Sequence, residues 1–393
     1  MGWLQKFFSS ERPLWRLSLA VVMAVVVAAA VSACGSSGGS STESASTEST
    51  TAEGEADAGE STEASSEEGS GSDPVAAMEA LYEGYSGDEA GLPTEYPEPK
   101  PGKVTIGWLN PFGAQPVLAT QQQGAEAQVA NLGGTIKTAD DKLEPNKQVS
   151  DFETMLNQNA EAIELIPIDP GATKPLLQHA EEAEVPVFAF DQTHSLKESA
   201  AGISTQIWQG RDHQAYAMAK YMSEAAPEGK IGLIGFGFPV PNIEYLMERL
   251  NFWAKKFNLD VVSEVQSKSD DASGGEGAMQ GLLKESVDGL LCYTDQVCVG
   301  ARASAKQAGQ DIVNVAVGGG PAGIEAVKNG QLTATLQTDA VQQGVQAVNG
   351  MYDLVAGTKV PPIVLRAPLQ LIDEETVENV VDWEAELSEL KGN

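Results

Sequence analysis

The sequence predicts an α/β protein with two doubly wound lobes of parallel sheet, joined by crossing segments with a cleft between them. Three observations predict it. From residue 103 onward, short β-rich runs alternate with helix-patterned segments. Those runs are almost continuously apolar, as strands covered on both faces must be. The β-α units are too many for one small sheet, and a chain of 393 residues exceeds one ordinary core.

The N-terminus precedes this rhythm and has its own logic. Lys6, Arg12 and Arg16 lie ahead of Leu17–Val31, an apolar run of 15 residues. A membrane span needs about 20, so the pattern reads as a signal peptide. Val31-Ser32-Ala33-Cys34 follows, and small residues before a cysteine at this place look like the lipid-attachment motif of bacterial lipoproteins. Residues 1–33 are therefore expected to be a lipoprotein signal peptide. Cys34 is expected to carry lipid and hold the chain on the extracytoplasmic face of the cell membrane without spanning it. Residues 34–101 are expected to be a disordered acidic linker of Ser, Thr, Glu and Gly. Residues 35–100 hold 16 acidic residues and one Lys, and the stretch 35–73 has too little apolar surface to offset its ordering entropy. Within the rest, MEALYEGY allows one short helix and YPEPKPG an extended lead-in. The coil would reach roughly 45 Å.

The body then runs in order. VTIGWLN, GTIKTAD, AIELIPI and VPVFAFD read as strands, separated by the helical patterns from Pro116, Asn146 and Thr173. A second series follows: GISTQ, KIGLIGFGF, LDVVSEVQS, VDGLLCYT, IVNVAVGGG and LTATLQTD, each leading into a helical pattern. TVENVVDWEAELSEL reads as a last helix. The expected first lobe is 102–205 plus 339–364. The expected second lobe is 206–338 plus 365–393. Cys292 lies in an apolar run and Cys298 in the helical pattern after it. Buried thiols are expected there, although an exported chain permits a disulfide.

Charge and composition exclude several functions. A net charge of −32 argues against nucleic acid as a partner. His179, His194 and His213 have no metal-ligand spacing. The body lacks a G-x-S-x-G nucleophile elbow. In doubly wound folds, ligands bind outside the carboxyl ends of the strands. The residues there are Asn110 and Phe112, Asp169, Asp191 and Gln192, Gln206, Phe236 and Phe238, Thr294 and Asp295, and Gln337 and Asp339. Rings, amides and carboxylates suit a neutral, hydroxyl-rich ligand, and basic groups are nearly absent apart from Arg249 on a following helix. One competing motif is present. Gly318–Gly323 satisfies G-x-G-x-x-G with Asp339 beyond it, the pattern of a nicotinamide-dinucleotide site. It comes late in the chain and ahead of a short helix, so close backbone approach at the cleft is the expected use of these glycines.

Several stretches carry a resemblance. They are strand–LNPF–helix at 104–123, LIPIDPGA at 165–172, VPVFAFDQT at 185–193, ERLNFW at 248–253, YTDQVCVGA at 293–301, IEAVKNGQLTATLQ at 324–337 and LQLIDEETV at 369–377. In order and spacing, 103–373 resembles the type I periplasmic binding proteins of sugar ABC importers, the ribose-binding-protein-like group. The resemblance implies two lobes joined by three crossings, a ligand between them, no cofactor, no metal and no catalysis. It implies an ABC permease as partner and a monomer. Carried over by position, Asn110 would bond a hydroxyl, Phe112 would stack on a ring, Asp191 would take two hydroxyls and Arg249 would donate from the second lobe. Asp295, Thr294, Gln192, Gln337 and Trp208 would border the site. The chain departs from ribose binders at Gly113, where they have a second ring, and at Gln192, where they have Arg. It departs again at Thr294, where they have an amide, and at Gly318–Pro321, where they have an aspartate turn. The ligand is therefore a sugar or polyol in the first reading. A nucleoside, another small solute, or signalling to a membrane sensor are the alternatives.

Overall fold

The computed structural model describes residues 74–192, 196–380 and 382–392. The signal peptide, Cys34, the linker up to residue 73 and His194 lie outside the described residues.

Two six-stranded sheets form the body. The first holds β1 (Thr105–Asn110), β2 (Thr135–Asp140), β3 (Ala162–Leu165), β4 (Val187–Phe190), β5 (Thr205–Trp208) and β11 (Ile363–Leu365), all parallel, in the order β11-β5-β4-β3-β1-β2. The second holds β6 (Lys230–Phe236), β7 (Asp260–Ser267), β8 (Gly289–Cys292), β9 (Val313–Gly318), β10 (Ala334–Gln337) and β12 (Gln370–Asp373). Its order is β12-β10-β9-β8-β6-β7, with only β12 antiparallel. In both sheets the chain reverses direction beside its first strand, between β1 and β3 and between β6 and β8. Those reversals open the crevices in which ligands of such folds sit. Of these strands, β11 and β12 have no counterpart among the expected ones; three and four residues give too little pattern to read.

The helices start where proline fixes φ in a first turn whose N–H groups are unpaired anyway. This holds for α2 (Pro116–Leu132), α3 (Pro145–Asn157), α4 (Pro170–Glu182), α6 (Pro241–Lys256) and α9 (Pro321–Lys328). The others are α1 (Pro74–Leu81), α5 (Arg211–Ala225), α7 (Ala272–Met279), α8 (Asp295–Gln307), α10 (Ala340–Val355) and α11 (Trp383–Leu390). The first sheet has a core on each face, one around Ile106, Phe188 and Val348 and one around Leu109, Phe152 and Ile163. The second lobe has a single larger core.

Three segments connect the lobes: Gln209–Gly210, Thr338–Asp339 and Arg366–Leu369. The first lies a few residues later than expected, because β5 runs through Trp208. The tail also divides differently from expectation. β12 joins the second sheet, while α11 packs through Trp383 and Leu387 on Ala340, Val341 and Val117 of α10 and α2.

The expected linker end at residue 101 is corrected by the structure, because residues 82–96 belong to the body. Tyr82 and Tyr85 pack on the second-lobe core, and Tyr82 donates its hydroxyl to Pro368 O. Glu89 is fully buried. Pro93 O accepts from Leu365 N–H of the first lobe, and Tyr96 is buried there with its hydroxyl on Thr205 and Gln206 O. The chain thus makes a fourth passage between the lobes, beside the other three. The acidic composition hid this, since Glu89 reads as solvated until its partners are seen. Gly210, the N-cap of α5, has no side chain to offer. The Glu89 carboxylate takes over the role, accepting from the N–H groups of Asp212 (2.9 Å) and His213 (3.0 Å). It also accepts from the Trp208 indole and bonds His213 Nδ1 (2.5 Å). Such a cap stabilises a helix by about 1 kcal/mol.

Candidate functional site

The turn after β4 bears polar contacts between the lobes. Asp191 sits there at φ 49°, in the left-handed region that a non-glycine residue enters at a cost. Its Oδ1 accepts from Gln209 N–H at 2.7 Å, and its Oδ2 from Arg211 Nε and Asn242 Nδ2, both at 3.0 Å. A second Arg211 nitrogen lies 2.8 Å away. Arg211 opens α5 and Asn242 lies in the first turn of α6. A first-lobe carboxylate is therefore gripped by two second-lobe side chains. Gln192 N–H donates to Gln206 Oε1 (2.7 Å), and the Gln192 amide donates to Phe190 O.

The turn after β1 is held by Asn110. Its Oδ1 accepts from Phe112 N–H (3.1 Å) and its amide donates to Gln122 and Leu118 O of α2. Strand, turn and helix are locked together, which leaves Phe112 half-buried at the turn. A Cβ on Gly113 would lie 3.2 Å from the Asp140 carboxyl carbon, so a second ring would press on Asp140.

In the second lobe, Asp295 begins α8. Its Oδ1 accepts from the Thr335 hydroxyl (2.6 Å) and its Oδ2 from Gly319 N–H (2.9 Å). Burial pushes its carboxyl up to about 6, against the pull of those two donors. The late glycines are built around this group: a Cβ on Gly318 or Gly323 would come within 2.4 or 2.1 Å of its Oδ2. The backbone N–H that a dinucleotide phosphate would use is already given to a carboxylate. Asp339, the expected ribose partner of that motif, is bound by Arg366. Gln337 is buried between Gly319 O and the Gln370 amide. Thr294 donates to Asp270 (2.9 Å), whose carboxyl burial also raises. Beside them Phe236 stacks on Phe238 and Tyr293, with ring centroids 5.1 and 5.3 Å apart, and Phe238 is 60% exposed. Cys292 and Cys298, expected as thiols, are joined in a disulfide across this strand-to-helix turn.

Where the lobes meet, Gln115 and Pro116 of the first face Asp295, Gln296 and Gly318 of the second. They leave a void of about 20 Å³, room for one water. That void is too small for a sugar.

Two expected site residues are placed elsewhere. Trp208 is fully buried, packs on Tyr245 and gives its only polar hydrogen to Glu89, so it is core and not a cover for the cleft. Arg249 donates to Asp212 (2.6 Å) and lies 4.2 Å over the Phe252 ring. Asp212 also binds the Trp253 indole and the Tyr85 hydroxyl. Arg249 is thus committed within its own lobe. The sequence reading missed Arg211, Asn242 and Asp270. Arg211 directly follows the first crossing and Asp270 follows the end of β7. Those positions were the available signals, while nothing local marks Asn242.

Residues 106–359 match the family model described as periplasmic binding protein domain. The chain belongs to this family. Among curated relatives, the ribose import binding protein of Bacillus subtilis (strain 168) is 23% identical over 275 residues, covering 68% of this chain and 87% of the relative. Among solved structures, a periplasmic ribose ABC transporter protein from Conexibacter woesei superposes with a TM-score of 0.65 at 21% identity, covering 73% of this chain and 98% of that one. A solute-binding protein from Bacillus halodurans with bound myo-inositol gives 0.63 at 19% identity, covering 71% and 97%. The two-lobed α/β architecture expected from the sequence is the family's.

Proposed function

We propose that this chain captures a small neutral sugar or polyol between its lobes and presents the closed form to an ABC permease. The observation that carries the reading is the grip of Arg211 and Asn242 on Asp191. It is an inter-lobe contact that forms only when the lobes approach, as hinge closure requires. The charge pattern supports a neutral ligand. Arg211, Arg249 and Arg366 are each bonded to an aspartate. The similar proteins named for ribose and solved with myo-inositol support hydroxyl-rich ligands. In this reading Phe112 and the exposed Phe238 supply ring faces from opposite lobes, with Asn110, Gln192, Thr294, Asp295 and Gln337 shaping the walls. Binding involves no covalent step. Export by a signal peptide, lipid on Cys34 and a monomer on the extracytoplasmic face of the cell membrane complete the proposal.

A thermal-shift panel on the described body tests it, with pentoses, hexoses, inositols, nucleosides and amino acids. A ligand at 100 times its Kd adds about 2.7 kcal/mol. A shift with sugars or polyols is expected. A shift with nucleosides alone keeps the fold and overturns the ligand.

A further inference from the structure

Two buried side-chain atoms beside Asp191 have no hydrogen-bond partner among the described residues: Gln206 Nε2 and Asn242 Oδ1. Their identities are forced by the other end of each amide. Gln206 must turn its oxygen to Gln192 N–H, and Asn242 its nitrogen to the Asp191 carboxylate. An unused donor is left in the first lobe and an unused acceptor in the second. The two residues lie on facing surfaces. Gln206 shares a strand face with Trp208, and Asn242 shares a helix face with Tyr245. The Trp208 and Tyr245 rings meet at 5.4 Å between centroids. A buried amide atom left unpaired is destabilising, so such atoms signal a missing partner.

We propose that Gln206 and Asn242 read the ligand across the cleft, Gln206 donating to a ligand hydroxyl and Asn242 accepting from one. This rests on the sugar-capture reading above. Asp191 then acts as a positioning residue. Its Oδ2 is filled by Arg211 and Asn242, and its side chain is wholly buried. Its work is to orient Asn242, contrary to the direct contact with two hydroxyls that the resemblance implies. The pair also defines the ligand's chemistry. Gln206 Nε2 takes an acceptor and Asn242 Oδ1 takes a donor, and a hydroxyl can serve as either, so a hydroxyl-rich ligand satisfies both.

Gln206→Met removes the donor at similar size, and Asn242→Ala removes the acceptor. Binding is measured by calorimetry with D-ribose, D-allose and myo-inositol, and the unliganded Tm is recorded alongside. Each change is expected to weaken binding about 10- to 100-fold, the effect of an unpaired polar contact. The unliganded Tm of Gln206→Met should change little, because the lost bond from Gln192 N–H offsets the relief of the unpaired Nε2. If the wild type binds and Gln206→Met binds equally well, this assignment is overturned alone. A wild type that binds no hydroxyl compound overturns both this assignment and the sugar reading.

Discussion

Asp191 and Asp295 are both buried carboxylates just beyond the carboxyl end of a strand, and they solve burial in opposite ways. Asp191 is met by a guanidinium and an amide from the other lobe. Asp295 is met only by a hydroxyl and a backbone N–H of its own lobe, and burial lifts its carboxyl to about 6. The difference teaches which group reports on what. The bonds to Asp191 depend on how the lobes sit. Those to Asp295 depend on the second lobe alone.

The sharpest way to break the comparison is Asp191→Ala. It strands the Arg211 guanidinium, 12% exposed, without its counter-charge. Stability should fall by about 3–5 kcal/mol in urea unfolding, with ligand affinity lost. A variant as stable as the wild type would show the pair to be ornamental.

Asp295 should appear in the pH dependence. Its folded carboxyl titrates near 6 and its unfolded one near the ordinary 3.8, so folding takes up a proton between those values. Stability from this group is therefore greatest at low pH and is lost as pH rises from about 4 to 6. The loss is roughly 3 kcal/mol for about two pKa units. Asp295→Asn should flatten that part of a Tm-against-pH curve, and an unchanged slope would assign it to other carboxyls such as Asp270.

Glu89→Ala extends the contrast to a carboxylate held by the fourth passage. Losing the α5 cap and the Trp208 bond should cost roughly 2–3 kcal/mol. Hydrogen exchange should quicken at the start of α5, and unchanged protection there would remove the capping role. The smallest effect is expected from opening the Cys292–Cys298 bridge by a double Ala substitution. It closes a loop of only a few residues, worth roughly 2 kcal/mol on the chain-entropy model. A larger loss would mean that it also sets the turn before Asp295.

The repeating β-α rhythm was legible because apolar runs and proline-led helices are local signals. So were Asn110, Phe112, Asp191 and Asp295 as strand-end residues, since the fold dictates that position. Their partners were not. Arg211, Asn242 and Glu89 stand far from the groups they bond, and only the docking of the lobes brings them together. Arg249 shows the converse. Its motif is recognisable in the chain, yet its charge is spent on Asp212, a partner 37 positions earlier that no local pattern points to. Trp208 is not legible as core from its own surroundings, because its decisive contact, Glu89, stands in an acidic stretch that reads as linker.

The fourth passage also has a mechanical consequence. The N-terminal chain meets the body through α1, beside β12, and through Tyr82, whose hydroxyl is on Pro368 O in the third crossing. The same contact ties residue 82 to the segment that joins the two sheets, so loosening it would be felt in both lobes at once.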